Sequence, residues 1–283
     1  MKNPATQSRY LRLKGITIPR VVEFSAHGTG VGKTIAAHRT RHHLDKAGVK
    51  NVLVTIESRA VLPHRKLRGS DVFISTEDFK LAREMPGGLP ALLRPMYLAI
   101  AEAARAGSVV IIDWPGGAAH VRLEAMAATR FDQRIHELAI SCLSVIVTTA
   151  TLDRMKQATE NLLSTAEVAP GIRRGLLLNE RAGKFEFIAG TALGDAFKDL
   201  MLASEGAEIL RFGSIVGESW QACEAAGLSF EAVLRATAAH IADATRLDLF
   251  TAAATQTEIL TWWDATKLVL DQVFPFRQPG GQV

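Results

Sequence analysis

Phe24 to Arg39 reads FSAHGTGVGKTIAAHR, and this stretch decides the fold. Gly32-Lys33-Thr34 completes the phosphate-binding pattern G-x-x-x-x-G-K-[ST], but His27 stands where that pattern puts its first glycine. Such a loop needs a strand before it and a helix after it. The apolar run at 20–26, RVVEFSA, and the segment KTIAAHRTRHHL that starts at Lys33 supply both. The loop residues Gly28, Thr29, Gly30, Val31, Gly32, Lys33 and Thr34 are therefore expected to wrap phosphate oxygens. Gly28, Gly30 and Gly32 let backbone N–H groups turn inward, and the helix N-terminus adds partial positive charge. Lys33 is expected to reach the β and γ phosphates, and Thr34 to offer its hydroxyl to Mg²⁺.

A phosphate loop works with an acid at the end of a second buried strand. VVIIDWPGG, residues 109–117, provides it: Asp113 directly follows four apolar residues and is placed to hold the water shell of Mg²⁺. The Gly116 backbone is expected to approach the γ-phosphate.

Working outward, short apolar runs alternate with helical segments, the pattern of βαβ units around a parallel sheet. Strands are expected at 20–26, 51–57, 71–76, 108–114, 143–150, 174–180, 185–190 and 208–213. Several are β-branched runs without alternation, as buried parallel strands are. Helices are expected at 33–46, 77–84, 90–106, 119–139, 152–166 and 192–203, with Thr151 and Asp153 as N-cap candidates. After 213 the pattern is helix only, at 217–226, 229–245 and 247–272, followed by a Pro/Gly-rich tail. The expected architecture is α/β: a doubly wound, mainly parallel sheet, with ligands at the carboxyl ends of its strands. An N-terminal arm over 1–19 precedes a nucleotide-binding core over 20–213, and 214–283 forms a helical extension of the same domain.

Composition agrees with a globular chain. It has 283 residues, 48% hydrophobic and 22% charged, enough for one large core. A net charge of +4 permits an anionic partner without naming one. Cys142 and Cys223 have no metal-ligand spacing and read as buried thiols. No run reaches the roughly 20 apolar residues that span a bilayer, so a cytoplasmic protein is expected.

In their order and spacing, HGTGVGKT, IIDWPGG and GLLLNERAG resemble the ParA/MinD-type P-loop ATPases, over about residues 20–225. That family's loop reads K-G-G-x-G-K-[ST] and requires no glycine where His27 stands. The resemblance implies ATP and Mg²⁺ as cofactors, an ATP-dependent homodimer, and partners such as non-specific DNA or a plasmid-encoded adaptor. It makes Lys33 and Asp113 catalytic, and it makes Asn179, at the end of GLLLN, the residue that reads adenine.

The chain departs from the family twice. Gly28 takes the place of the signature lysine that reaches the partner's phosphates in the dimer. Thr55-Ile56-Glu57 stands where the family has D-x-D, so Glu57 is left as the nearest candidate to orient water. Phosphoryl transfer depends on positioning and charge stabilisation, so binding with slow hydrolysis is expected. These departures fit plasmid-stability and conjugation relatives of the StbB or TraL kind. Two other readings stand beside the switch: an ATP-dependent ligase related to dethiobiotin synthetase, whose loop also contains T-G-V-G-K-T, and a non-catalytic scaffold.

Three further features carry less chemistry. HRTRHH, with His38 and His42 one turn apart, is expected to form an exposed basic face. Trp262 and Trp263 lie on an amphipathic segment and are expected to pack in the core. The run HRKLR, His64 to Arg68, reads as a solvated loop that could also touch DNA phosphate.

Overall fold

The computed structural model describes residues 18–60, 67–215 and 219–275. Nearly all of the expected arm, residues 64–66 of the basic run and the tail from 276 onward lie outside these residues.

Among the described residues seven strands form one sheet: β1 (Val21–Ser25), β2 (Asn51–Glu57), β3 (Val72–Ser75), β4 (Val109–Asp113), β5 (Cys142–Thr149), β6 (Arg173–Asn179) and β7 (Glu208–Phe212). Their order is β3-β2-β4-β1-β5-β6-β7, and every pairing is parallel. β1, β4 and β5 are buried along their whole length, which is why they read as unbroken apolar runs. The chain builds outward from β1 on one side, then returns past it to build the other. Such a reversal leaves a crevice at the carboxyl ends of the central strands.

The helices are α1 (Lys33–Lys46), α2 (Phe79–Glu84), α3 (Gly88–Leu92), α4 (Arg94–Ala106), α5 (Ala119–Thr129), α6 (Phe131–Glu137), α7 (Leu152–Val168), α8 (Ala192–Ala203), α9 (Ser219–Ala225), α10 (Phe230–Arg235), α11 (Ala238–Thr245) and α12 (Leu249–Val273). Strand alternation sorts them into two layers. Val21, Val110 and Ile112 face Met96, Ile100, Val121 and Phe131 of α4, α5 and α6. Farther along that face Ile146, Leu176 and Leu178 meet α7 and α8. Val22, Phe24, Leu53 and Ile111 point the other way, onto α1 and α12.

An aromatic stack fastens α12 to the sheet. Phe230 lies parallel to Trp220 at 3.7 Å and stacks on Trp262 at 5.0 Å, while Trp262 meets Phe212 of β7 edge-on at 5.8 Å. The Trp262 indole donates to the Gly213 carbonyl at 2.7 Å, so its polar end is satisfied. The tryptophan pair is buried, as expected.

Several expectations fail for physical reasons. Residues 185–190 form no strand: Phe185 and Phe187 pack with Phe197 over the end of the core, so this apolar stretch fills space without pairing. The helix expected over 119–139 breaks at Arg130, which turns left-handed with φ 47°. The helix expected over 229–245 breaks at Thr237, whose hydroxyl caps α11 by accepting the His240 N–H. The one over 90–106 is split into α3 and α4 around Leu93.

The basic face of α1 is not exposed. Arg39 lies under α12, donating to Thr266 Oγ1 and the Trp263 carbonyl, both at 2.9 Å, with its guanidinium 4.2 Å from the Trp263 ring centroid. Arg41 pairs with the buried Asp71 at 2.9 Å. His42 meets Trp263 edge-on. Charged residues one turn apart look like a solvated stripe until a partner helix covers them. Both cysteines are buried and free. Among the described residues no helix is long and apolar enough to cross a membrane.

Candidate functional site

β1 delivers the loop to the N-terminus of α1. Gly32 ends the loop at φ 96°, in the left-handed region that an L side chain resists, and opens the helix with its carbonyl accepting the Ala36 N–H at 2.9 Å. No side chain caps this helix and no acid sits in its first turn, so its leading N–H groups and positive dipole end suit an anion.

Lys33 is buried, and its ammonium donates to the Gly28 carbonyl at 2.8 Å, folding back across the loop. Burial pushes its pKa down, the nearby Asp113 and Glu57 carboxylates oppose that, and Arg154 adds to it. A lysine held this way is a cation short of solvation, which a phosphate would restore.

Asp113 ends β4 in the sheet centre, in register with Phe24 of β1 and Thr55 of β2. Thr55 is buried beside it; Glu57, two residues on, reaches the rim. Gly116 brings its backbone against Thr29: a Cβ there would stand 2.4 Å from the Thr29 methyl and 2.8 Å from its nitrogen.

Seven of the expected residues, Thr29, Gly30, Lys33, Thr34, Glu57, Asp113 and Gly116, line one cavity of about 880 Å³ at the carboxyl ends of the strands. The other four stand behind it. Val31 turns its side chain into the core, Gly28 is buried and Gly32 is half-buried. Asn179, at the end of β6, donates from Nδ2 to the Val31 carbonyl at 2.8 Å and accepts the Arg181 N–H at 3.3 Å. The sequence suggested a base contact; the structure adds that this amide clamps the loop from beneath.

Sequence reading also missed what supports the acid. Glu23 of β1 is buried and accepts from Arg122 Nε at 2.9 Å and from the Trp114 indole at 2.9 Å. The same guanidinium donates to Asn161, Ser144 and Thr165. Trp114 directly follows Asp113, so the network fixes where the acid's strand turns toward α5. The signal was visible: a glutamate inside an apolar strand needs a buried partner. The far wall of the cavity, with Phe79, Lys80, Arg83 and His120, was not foreseen either.

A glycine loop capping a helix, a lysine turned over it and an acid ending the neighbouring parallel strand now stand together. The fold is that of a P-loop NTPase. Among solved structures the P-loop chain is similar to an ATP complex of Cyanothece McdA, at 11% identity and TM-score 0.48, covering 94% of this chain and 100% of that one. It is also similar to the Aquifex aeolicus MinC:MinD cell division complex, at 13% and 0.45 over 80% and 94%. A third is cobyrinic acid a,c-diamide synthase from Mycobacterium smegmatis with bound ADP and magnesium, at 16% and 0.40 over 66% and 81%. No family model and no curated protein matches the sequence.

The donor set suits a nucleotide with a hard cation. Among the described residues no group of three or more His, Cys, Asp or Glu side chains could hold a metal by itself. A Mg²⁺ ion beside the Thr34 hydroxyl and Asp113 would need phosphate oxygens and water for the rest of its shell, which is how this ion is usually held in such sites.

Proposed function

We propose that this chain is a ParA/MinD-like nucleotide switch that binds Mg-ATP and hydrolyses it slowly. One observation carries the reading: Lys33 and Thr34 from the start of α1, Glu57 from the end of β2 and Asp113 from the end of β4 open on the same cavity over an uncapped helix N-terminus. In this reading the loop N–H groups and Lys33 bind the phosphates. Thr34 and Asp113 hold the Mg²⁺, whose charge screens the phosphate oxygens when it is bound. Asn179 presents its remaining amide hydrogen to the base. Glu57, at the rim, is the carboxylate left to orient water, since the buried Thr55 cannot accept a proton. Slow turnover follows from a site with one carboxylate at the strand end instead of two.

ATP-dependent dimerisation, an adaptor or non-specific DNA as partner, a role in plasmid partition, plasmid stability or conjugation, and a cytoplasmic location complete the proposal. Their support is the family resemblance of the motifs. The deciding experiment pairs Mg-ATP calorimetry with light scattering for the natural protein and Lys33→Ala. Binding that the substitution weakens at least 100-fold, with a nucleotide-dependent rise in mass, supports the switch. A protein that binds no ATP refutes the reading.

The cavity itself favours a second reading. Beyond the phosphate loop it continues to Phe79, Lys80, Arg83 and His120, which leaves room for a small co-substrate, as a ligase similar to dethiobiotin synthetase would need. ATP binding with no change in mass, together with ADP release only when a small carboxylate or amine is added, would favour it.

A further inference from the structure

The Gly28 position, which sets this loop apart from its relatives, has a neighbour. β5 ends at Thr149, the chain turns through a Thr151 N–H to Thr149 carbonyl bond of 2.8 Å, and α7 begins. Arg154 is the third residue of α7 and reaches back to the loop. A Cβ built on Gly28 would stand 1.6 Å from Arg154 Nη1 and 2.2 Å from its guanidinium carbon. The guanidinium therefore occupies the volume that any side chain at position 28 would take. Among the described residues it hydrogen-bonds to the neutral Gln157 Oε1, at 3.0 Å.

Lys33 meets the same glycine through its bond to the Gly28 carbonyl, at 2.8 Å. Two cations thus converge on one loop residue, above a helix terminus that is itself positive. Like charges held together are unfavourable until an anion joins them. A guanidinium is the better second cation here, because its planar fork can bridge two phosphate oxygens and never loses its charge.

We propose that Arg154, packed against Gly28 beside Lys33, is the cation that this chain supplies from its own α7 to the terminal phosphate of a bound nucleotide, in place of a lysine from a second copy. The proposal rests on the nucleotide reading above. It accounts for the glycine: a lysine at 28 would compete with Arg154 for the same space. It also frees the charge stabilisation of the site from dimerisation.

The test is binding, measured on the full chain by calorimetry with ATPγS and with ADP in Mg²⁺. Arg154→Ala should weaken ATPγS 10–100-fold and ADP by less than threefold, because a charge-assisted contact to the terminal phosphate is lost. Arg154→Lys should recover part of the loss. Gly28→Ala, whose backbone is not in the left-handed region, should displace the flexible guanidinium and reproduce the drop. In the double variant the two losses should not add, since both remove one contact.

An ATPγS to ADP ratio unchanged by Arg154→Ala, in a protein that binds both, overturns this proposal and leaves the nucleotide reading standing. So does a Gly28→Ala effect of equal size in the Arg154→Ala background. A natural protein that binds neither nucleotide overturns both.

Discussion

Replacing Glu23 by glutamine should destabilise this protein far more than its one-atom change suggests. The side chain is 1% exposed and Arg122 is 0% exposed, so the charge on Arg122 has no solvent to fall back on. Arg122 donates four hydrogen bonds, to Glu23 at 2.9 Å, Asn161 at 3.0 Å, Ser144 at 2.7 Å and Thr165 at 3.1 Å, and only the first acceptor carries charge. Glutamine can keep the shape and one acceptor, but the guanidinium is left buried and uncompensated. Breaking a buried pair in this way costs about 3–5 kcal/mol. A domain has only about 5–15 kcal/mol to lose. Urea unfolding should show a lower midpoint with an unchanged slope, and Tm should fall by roughly 6–12 °C for a loss near 3 kcal/mol. Removing both charges, as Glu23→Leu with Arg122→Met, should cost less than Glu23→Gln alone, because neither partner is then stranded. A Glu23→Gln loss under about 1 kcal/mol, or a double variant as damaged as the sum of its parts, would refute the argument that charge compensation holds this network.

Two further outcomes are expected. Asn179→Ala removes the clamp on Val31 and should weaken Mg-ATP binding about tenfold in calorimetry, the equivalent of ~1.4 kcal/mol, while narrowing any preference for ATP over GTP; unchanged affinity and preference would deny the residue both roles. His42 has its pKa lowered to about 4, by burial first and then by Arg39 and Lys46, against a usual value of 6.5. Between those values the unfolded chain holds a proton that the folded chain refuses. Stability should therefore be full above pH 6.5 and fall as pH drops toward 4. The loss is about 1–2 kcal/mol once screening of a half-buried ring is allowed for. His42→Gln should flatten that slope in urea midpoints taken from pH 7 to 4.5, and an identical slope would assign the acid sensitivity to other groups.

How far the sequence could be read follows from where information is local. The loop, the strand before it and the acid at the end of β4 are each written within a dozen residues, so they were legible, as was the layered parallel sheet. The interruptions at Arg130 and Thr237 were not, because a left-handed residue and a threonine cap look like ordinary helix residues until tertiary packing selects them. Phe185 and Phe187 passed for a strand because apolar alternation does not say whether a sheet edge is there to pair with. Arg154 could not be found at all: it lies 126 positions from Gly28, and nothing in the spacing of either predicts that they share one volume. The same is true of Arg122 and its glutamate, although Glu23 itself announced that some partner must exist.

The helix that carries the phosphate loop at one end is gripped at the other. α1 has 14 residues, a rod of ~21 Å, and from its midpoint onward it lies against α12, through Arg39 on Trp263 and Thr266 and then His42 on Trp263 and His43 beside Asp271. A rod loaded at both ends couples them mechanically. Trimming α12 back past Trp263 would therefore do more than shorten a tail, since it would remove the indole and the hydroxyl that hold Arg39, uncover that buried guanidinium, and loosen the mount of the helix that carries the loop. Engineering at that end of the chain, whether a fusion, a label or a truncation, is engineering of the site.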